Sequence, residues 1–183
     1  MIYVGLDMSM VATGVCVKDG EKVKLATIKT TPKTCENDIE RLKHIVREVM
    51  GLLPKEADLI CIEDFFTPSS RFQMNAAIKL IGLGAVIRQA LYDAKYPFFV
   101  VSPTQLKKYV TGKGNSKKNL ILRDLSNKFG VDAGDDNQAD ACVLAYMAEQ
   151  LHMKMKGNDI SSLVKYQLET INKIVKDRPR YNC

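Results

Sequence analysis

No stretch of the 183-residue chain approaches the roughly 18–20 uninterrupted apolar residues of a membrane span. The opening Met1-Ile2-Tyr3-Val4-Gly5 runs straight into Asp7, unlike a signal peptide. A cytoplasmic protein without a membrane partner is therefore expected. The cysteines, Cys16, Cys35, Cys61, Cys142 and Cys183, are odd in number, far apart and without a Cys-x-x-Cys pair, which argues against a disulfide framework or a zinc site. Cys16, Cys61 and Cys142 lie in apolar segments and read as reduced core thiols. Histidine is scarce, and His44 and His152 stand isolated on helical segments, poor candidates for catalysis. Internal repeats and low-complexity stretches are also missing, which excludes solenoid, collagen-like and disordered classes. With 46% hydrophobic and 26% charged residues, the remaining reading is one globular domain. At this size it buries roughly 70% of the unfolded surface and needs no staple.

Lys and Arg number 27 against 21 Asp and Glu, a net charge of +6. This moderate excess favours a polyanionic partner, and its location is more informative than its sum. From Lys107 to Arg123 the chain carries Lys107, Lys108, Lys113, Lys117, Lys118 and Arg123 and no acid. Glycines at 112 and 114 let backbone amides approach phosphate, while Lys113, Lys117 and Lys118 neutralise it. A merely solvated surface would be expected to mix acids into such a stretch.

Apolar runs at 2–6, 12–17 and 22–28, the last two separated by Lys18-Asp19-Gly20, predict three antiparallel strands. Ile39, Leu42, Ile45, Val46, Val49 and Leu53 have helical spacing, and Pro54 closes that helix. Leu59-Ile60-Cys61-Ile62 reads as a strand buried on both faces, with Glu63-Asp64 at its carboxyl end. A helix over about 74–92, a strand at 98–101, helices after Thr104 and over 117–129, and a last core helix over about 137–153 follow. Strands alternating with helices predict an α/β fold with a mixed five-stranded sheet flanked by helices. Residues 1–157 form the domain on this reading. Residues 158–183 form an extension, with an appended helix over 161–176 and a frayed end at Arg178-Pro179-Arg180.

The chemistry is expected from carboxylates at the ends of these elements. Asp7 interrupts an apolar strand, where a buried carboxylate is costly without a partner. Glu63 ends another strand, and Asp136 and Asp140, four residues apart, share a helix face. Asp135 and Asp136 have an alternative use as partners of the helix dipole, which leaves Asp7, Glu63 and Asp140 unexplained. Were these acids to cluster, divalent metal would resolve their repulsion. Oxygen ligands without His or Cys favour magnesium, with manganese as a substitute, and two ions about 4 Å apart suit in-line displacement at phosphorus.

Gly5-Leu6-Asp7 followed by Thr13-Gly14, Ile62-Glu63-Asp64-Phe65-Phe66, Leu106-Lys107 through Gly112-x-Gly114 to Lys118, and Ala139-Asp140-Ala141 occur in one order over residues 1–150. In these motifs the chain resembles the Holliday junction resolvases of the RuvC type, within the ribonuclease H-like superfamily, and particularly their phage members. A phage protein would act in the host cytoplasm. The resemblance implies Asp7, Glu63 and Asp140 as metal-binding catalytic acids. A fourth ligand falls on Asn137 by the bacterial spacing or on Asp136 by that of mitochondrial relatives; Asp136 is preferred because a carboxylate offsets metal charge. The resemblance also implies Lys107 and Lys118 near the scissile phosphate, with Lys118 catalytic, and Phe66 stacking on unpaired bases. Phe65 reads instead as a cap on the sheet. Lys108, Lys113 and Lys117 complete the expected DNA-binding set. The family works as a homodimer on four-way junctions, and phage relatives cut other branched DNA. Met74 and residues 80–86 are candidates for the subunit contact.

Other classes fit parts of the sequence. RNA-processing relatives keep acids on the same scaffold, and a non-catalytic nucleic-acid-binding relative would be expected to have lost them. Gly5-Leu6-Asp7-Met8-Ser9 with Thr13-Gly14 also resembles the first phosphate loop of actin-like sugar kinases, although these need two such domains to close on ATP.

Overall fold

A computed structural model describes residues 1–31, 33–64, 71–177 and 180–181, with 71–73 and 180 as backbone only. Three strands, β1 (Ile2–Asp7), β2 (Ala12–Asp19) and β3 (Lys22–Lys29), form an antiparallel meander. Gly20, at φ 55°, takes the left-handed conformation in the tight turn between β2 and β3. Helix α1 (Asp38–Leu52) follows, its N-terminus capped by the Asn37 side chain, which accepts from the Glu40 N–H. Then come β4 (Leu59–Glu63), α2 (Arg71–Asp93) and β5 (Phe98–Val101). Helices α3 (Pro103–Thr111), α4 (Lys118–Phe129), α5 (Asp136–Met155) and α6 (Lys165–Asp177) lead to β6 (Arg180–Tyr181).

The sheet order is β3-β2-β1-β4-β5-β6, with β1, β4 and β5 parallel and the rest antiparallel. The expected five-stranded mixed sheet is present, and β6 adds two residues at its edge. Arg180 therefore pairs with β5, contrary to the frayed end expected there: the strand edge offers backbone partners that the sequence does not advertise.

Strand alternation sends successive side chains to opposite faces. Val4, Leu6, Ile60, Ile62, Phe98 and Val100 pack with Ile45 and Val49 of α1 and Leu83, Ile87 and Leu91 of α2. Tyr3, Cys16, Leu59, Cys61, Phe99 and Val101 pack on the other side with α3 to α6. Alanines and Cys142 line α5, letting it lie so close to β1 that a Cβ on Gly5 would collide with the Ala141 carbonyl. Cys16, Cys61 and Cys142 are core residues, as expected, and Cys35 is buried as well. The Cys16 and Cys142 thiols contact each other, which with burial holds the Cys16 thiol far above its ordinary range.

Helix α2 begins three residues before the expected start. By length and composition alone its segment Met74–Asp93 could cross a membrane, although Asn75, Lys79 and Arg88 interrupt its apolar run. Here one face of that helix packs on the sheet through the buried Leu83, Ile87 and Leu91, with Lys79 paired to Asp38 at 2.8 Å and Arg88 to Asp64 at 3.0 Å, while Met74, Ile78, Ile81 and Val86 are exposed.

Candidate active site

Asp7 and Glu63 come together through pairing register and strand period. Parallel strands β1 and β4 pair Leu6 with Ile62, so Asp7 and Glu63 follow side by side at the carboxyl ends, where open α/β sheets place their sites. Alternation turns both toward the α5 face. The two carboxyls act directly on each other, and only 7% of Asp7 is exposed. Burial raises the carboxyl pKa of both, and for Glu63 the neighbouring Asp7 charge adds to the rise.

The first turn of α5 supplies the other acids and is pinned to the sheet from below. The Asp135 side chain caps it, accepting from the Gln138 N–H at 2.8 Å, while the Thr27 hydroxyl of β3 donates to the same carboxylate at 2.8 Å. The Gln138 amide donates back to Thr27 at 3.0 Å. Thus Asp135 takes the helix-end role considered for both Asp135 and Asp136. An Asp followed three residues on by Gln is a readable capping signal, but Thr27 lies over 100 residues away. Gly14 completes the seat, because a Cβ there would collide with the Asn137 carbonyl.

Asp136 and Asn137 consequently differ in what they meet. Asp136 lies 3.1 Å from the Lys118 ammonium, in a crevice lined by Lys118, Ile121, Leu122, Asp136, Ala139 and Asp140. Asn137 is seated over Gly14. Burial and the charge of Asp7 push the Asp140 carboxyl up to about 7. Its Oδ1 is buried and has no hydrogen-bond partner among the described residues. Lys107 and Lys118 both act electrostatically on Asp140, and Lys107 also acts on Glu63. The Lys118 ammonium is itself held above its ordinary pKa, chiefly by its bond to Asp136.

These donors fit a hard divalent cation: carboxylate oxygens only, three acids held up by burial, and one oxygen with nothing to accept from. Among the described residues, no three Asp, Glu, His or Cys side chains already converge at ligand distance. Asp7 and Glu63 face each other, and Asp136 pairs with Lys118.

The basic stretch divides by partner. Lys108 pairs with Glu169 at 2.9 Å and Arg123 with Asp124 at 2.6 Å. Lys113 and Lys117 are exposed and make no ion pair among the described residues. The expected positions Phe65 and Phe66 lie outside the described residues.

A model of the family "Crossover junction endodeoxyribonuclease RuvC" matches residues 3–147. The chain belongs to the RuvC family. A RuvC of Prochlorococcus marinus strain NATL2A is 26% identical over 151 residues, covering 79% of this chain and 96% of the relative. The RuvC of Anaeromyxobacter sp. strain Fw109-5 is 26% identical over 149 residues, covering 79% of this chain and 71% of that protein. Among solved structures, Thermus thermophilus RuvC superimposes with a TM-score of 0.64 at 21% identity, covering 86% of this chain and 98% of its own. The same organism's RuvC in complex with a Holliday junction substrate gives 0.59 at 23% identity, covering 79% and 90%. These likenesses establish the RuvC, ribonuclease H-like fold, the one expected from the sequence.

Proposed function

We propose that the chain is a metal-dependent, structure-selective endonuclease that resolves Holliday junctions and related branched DNA by hydrolysing phosphodiester bonds. Family membership supports the activity. The observation that carries the site is the convergence of the buried Asp7 with the half-buried Glu63 and Asp140 beside Lys118 and Lys107, with Asp140 Oδ1 buried and unpartnered among the described residues.

Asp7, Glu63, Asp140 and Asp136 would hold the metal, Mg²⁺ or in its place Mn²⁺, as two ions. The metal supplies Lewis acidity and a water acidic enough to attack phosphorus near neutral pH. Lys118 would face the phosphate and offset the charge that develops on it. Lys107 adds positive charge from α3. Lys113 and Lys117 hold the backbone of the neighbouring arm, and Phe66 stacks on an unpaired base at the junction centre.

A homodimer suits a twofold junction. We place its contact on α1 and α2, where Ile39, Ile78, Ile81 and Val86 leave an apolar face exposed. A second copy is the occupant favoured by the ion pairs that hold Lys79 and Arg88 within this chain. Residues 1–157 act as the nuclease domain and 158–183 as its extension, in the cytoplasm of the cell or phage host. The six-cation stretch favours DNA over the RNA-directed reading only together with the family match.

The test is cleavage of a labelled synthetic four-way junction beside linear duplex, fork and RNA–DNA hybrid, in Mg²⁺ and in Mn²⁺, with Asp7→Asn as control. Paired symmetric nicks in the junction, absent in the variant while it still binds, are expected. Binding without cleavage of any DNA by the unaltered chain overturns the reading. Sedimentation of Ile81→Asp, expected to be monomeric, tests the dimer.

A further inference from the structure

Helix α6 lies beyond residue 147, where the family match ends. Its Ile171 and Ile174 are fully buried against α5 and neighbouring core residues. Its first turns do something different, meeting the far end of α3 where the basic loop begins. Gly112 caps α3 at φ 82°, and the Tyr166 ring lies 3.5 Å from where a Cβ on Gly112 would stand. The Tyr166 hydroxyl accepts from the Lys128 ammonium at 3.0 Å, and the same ammonium donates to the Val110 carbonyl at 2.6 Å. One turn further along, Glu169 holds Lys108 at 2.9 Å. Three contacts therefore tie α6 to the last turn of α3.

The loop that leaves this turn is itself closely knit. The Thr111 hydroxyl donates to the Lys107 carbonyl at 2.7 Å and accepts from the Ser116 hydroxyl at 2.6 Å and from the Lys113 N–H at 3.2 Å. Gly114 rests against Thr104, leaving no space for a side chain. These bonds link the loop to its base, so a contact that fixes residues 110–112 also bears on the directions of Lys113 and Lys117. In the direction of α6, that support is the ring of Tyr166.

We propose that α6 is a brace for the phosphate-binding loop and that Tyr166 is its positioning residue, holding residues 112–117 in the shape that receives a DNA backbone. The role rests on the junction-nuclease reading for its ligand but not for its mechanics. Preordering the loop lowers the entropy lost on binding, so losing the brace weakens association and leaves chemistry on bound substrate intact.

The experiment compares the full chain with Tyr166→Ala and Tyr166→Phe by amide hydrogen exchange and by junction binding and cleavage. Tyr166→Ala is expected to speed exchange at 112–117 about tenfold while 171–174 stay protected, the mark of local opening. Junction affinity should fall about five- to tenfold with the saturated rate within about twofold, a loss confined to binding. Tyr166→Phe keeps the ring and should restore both. Should Tyr166→Ala also release α6, Tyr166→Leu retains its apolar packing while withdrawing the ring from Gly112, and faster exchange at 112–117 is again expected. Unchanged exchange at 112–117 in the variant that keeps α6 protected overturns the brace. Failure of the unaltered chain to cut a junction overturns the nuclease reading instead, and exchange still decides the brace.

Discussion

The ammonium of Lys118 stands 3.1 Å from the Asp136 carboxylate, although the two lie at the starts of separate helices, α4 and α5. A cation thus already occupies the outer acid of the cluster. On the proposed reading this pair would couple metal binding to phosphate contact, because what draws Asp136 away frees Lys118.

Asp136→Ala should lower single-turnover junction cleavage roughly 100-fold or more, the scale on which a lost charge-stabilising group acts. Asn137→Ala should stay near the unaltered rate, since its seat over Gly14 is made by backbone. Full activity of both variants would remove the metal site from this helix end.

Stability without metal should fall as pH rises. The Asp140 carboxyl sits at about 7 against an ordinary 3.8, raised first by burial and then by Asp7, and Asp7 and Glu63 are raised too. Folded-state values above the unfolded ones mean that their stabilising contribution is complete below the unfolded values. It is lost as pH passes through the folded ones, beginning with the window from about 4 to about 7. In chelator, the melting temperature should therefore drop between about pH 5 and pH 8, and Mg²⁺ should restore it by binding the ionised acids. Asp7→Asn should flatten the profile; a flat profile in the unaltered chain would contradict the burial of charge described above.

Gly14→Ala forces a methyl group into the Asn137 carbonyl. We expect a loss of about 1–3 kcal/mol in urea unfolding, typical of overpacking. Because the first turn of α5 must shift, turnover by the folded fraction should fall by ~10-fold or more, as reacting groups misplaced by ~1 Å cause large losses. Full turnover in a merely less stable protein would show that α5 is not held in place from this side.

Salt dependence separates the cations. Lys117→Ala should reduce the slope of log affinity against log salt by about 0.9, the value for one lost phosphate contact on duplex DNA. Lys108→Ala should change it by less than half as much, because Glu169 already neutralises that ammonium. Fluorescence anisotropy of a labelled junction at four or more salt concentrations reads both. Equal slopes for the two variants would mean that the Lys108 pair opens on DNA.

Local pattern was enough to mark β1 to β5, the helices and their order, because hydrophobic period, caps and turn residues act over a few neighbours: the hairpin at Gly20 and the end of α1 before Pro54 are of this kind. It also singled out Asp7, since a carboxylate inside an apolar run is anomalous wherever the strand ends up. Whether Asp7 meets Glu63 depended on parallel register between segments more than 50 residues apart. The choice between Asp136 and Asn137 depended on how α5 is seated over Gly14 and Thr27. Lys108 reads like its neighbours until Glu169 folds against it, and Tyr166 has no local signal at all. Side-chain period and propensity are properties of a segment, whereas charge pairing, desolvation and support belong to surfaces that exist only once distant segments are packed together.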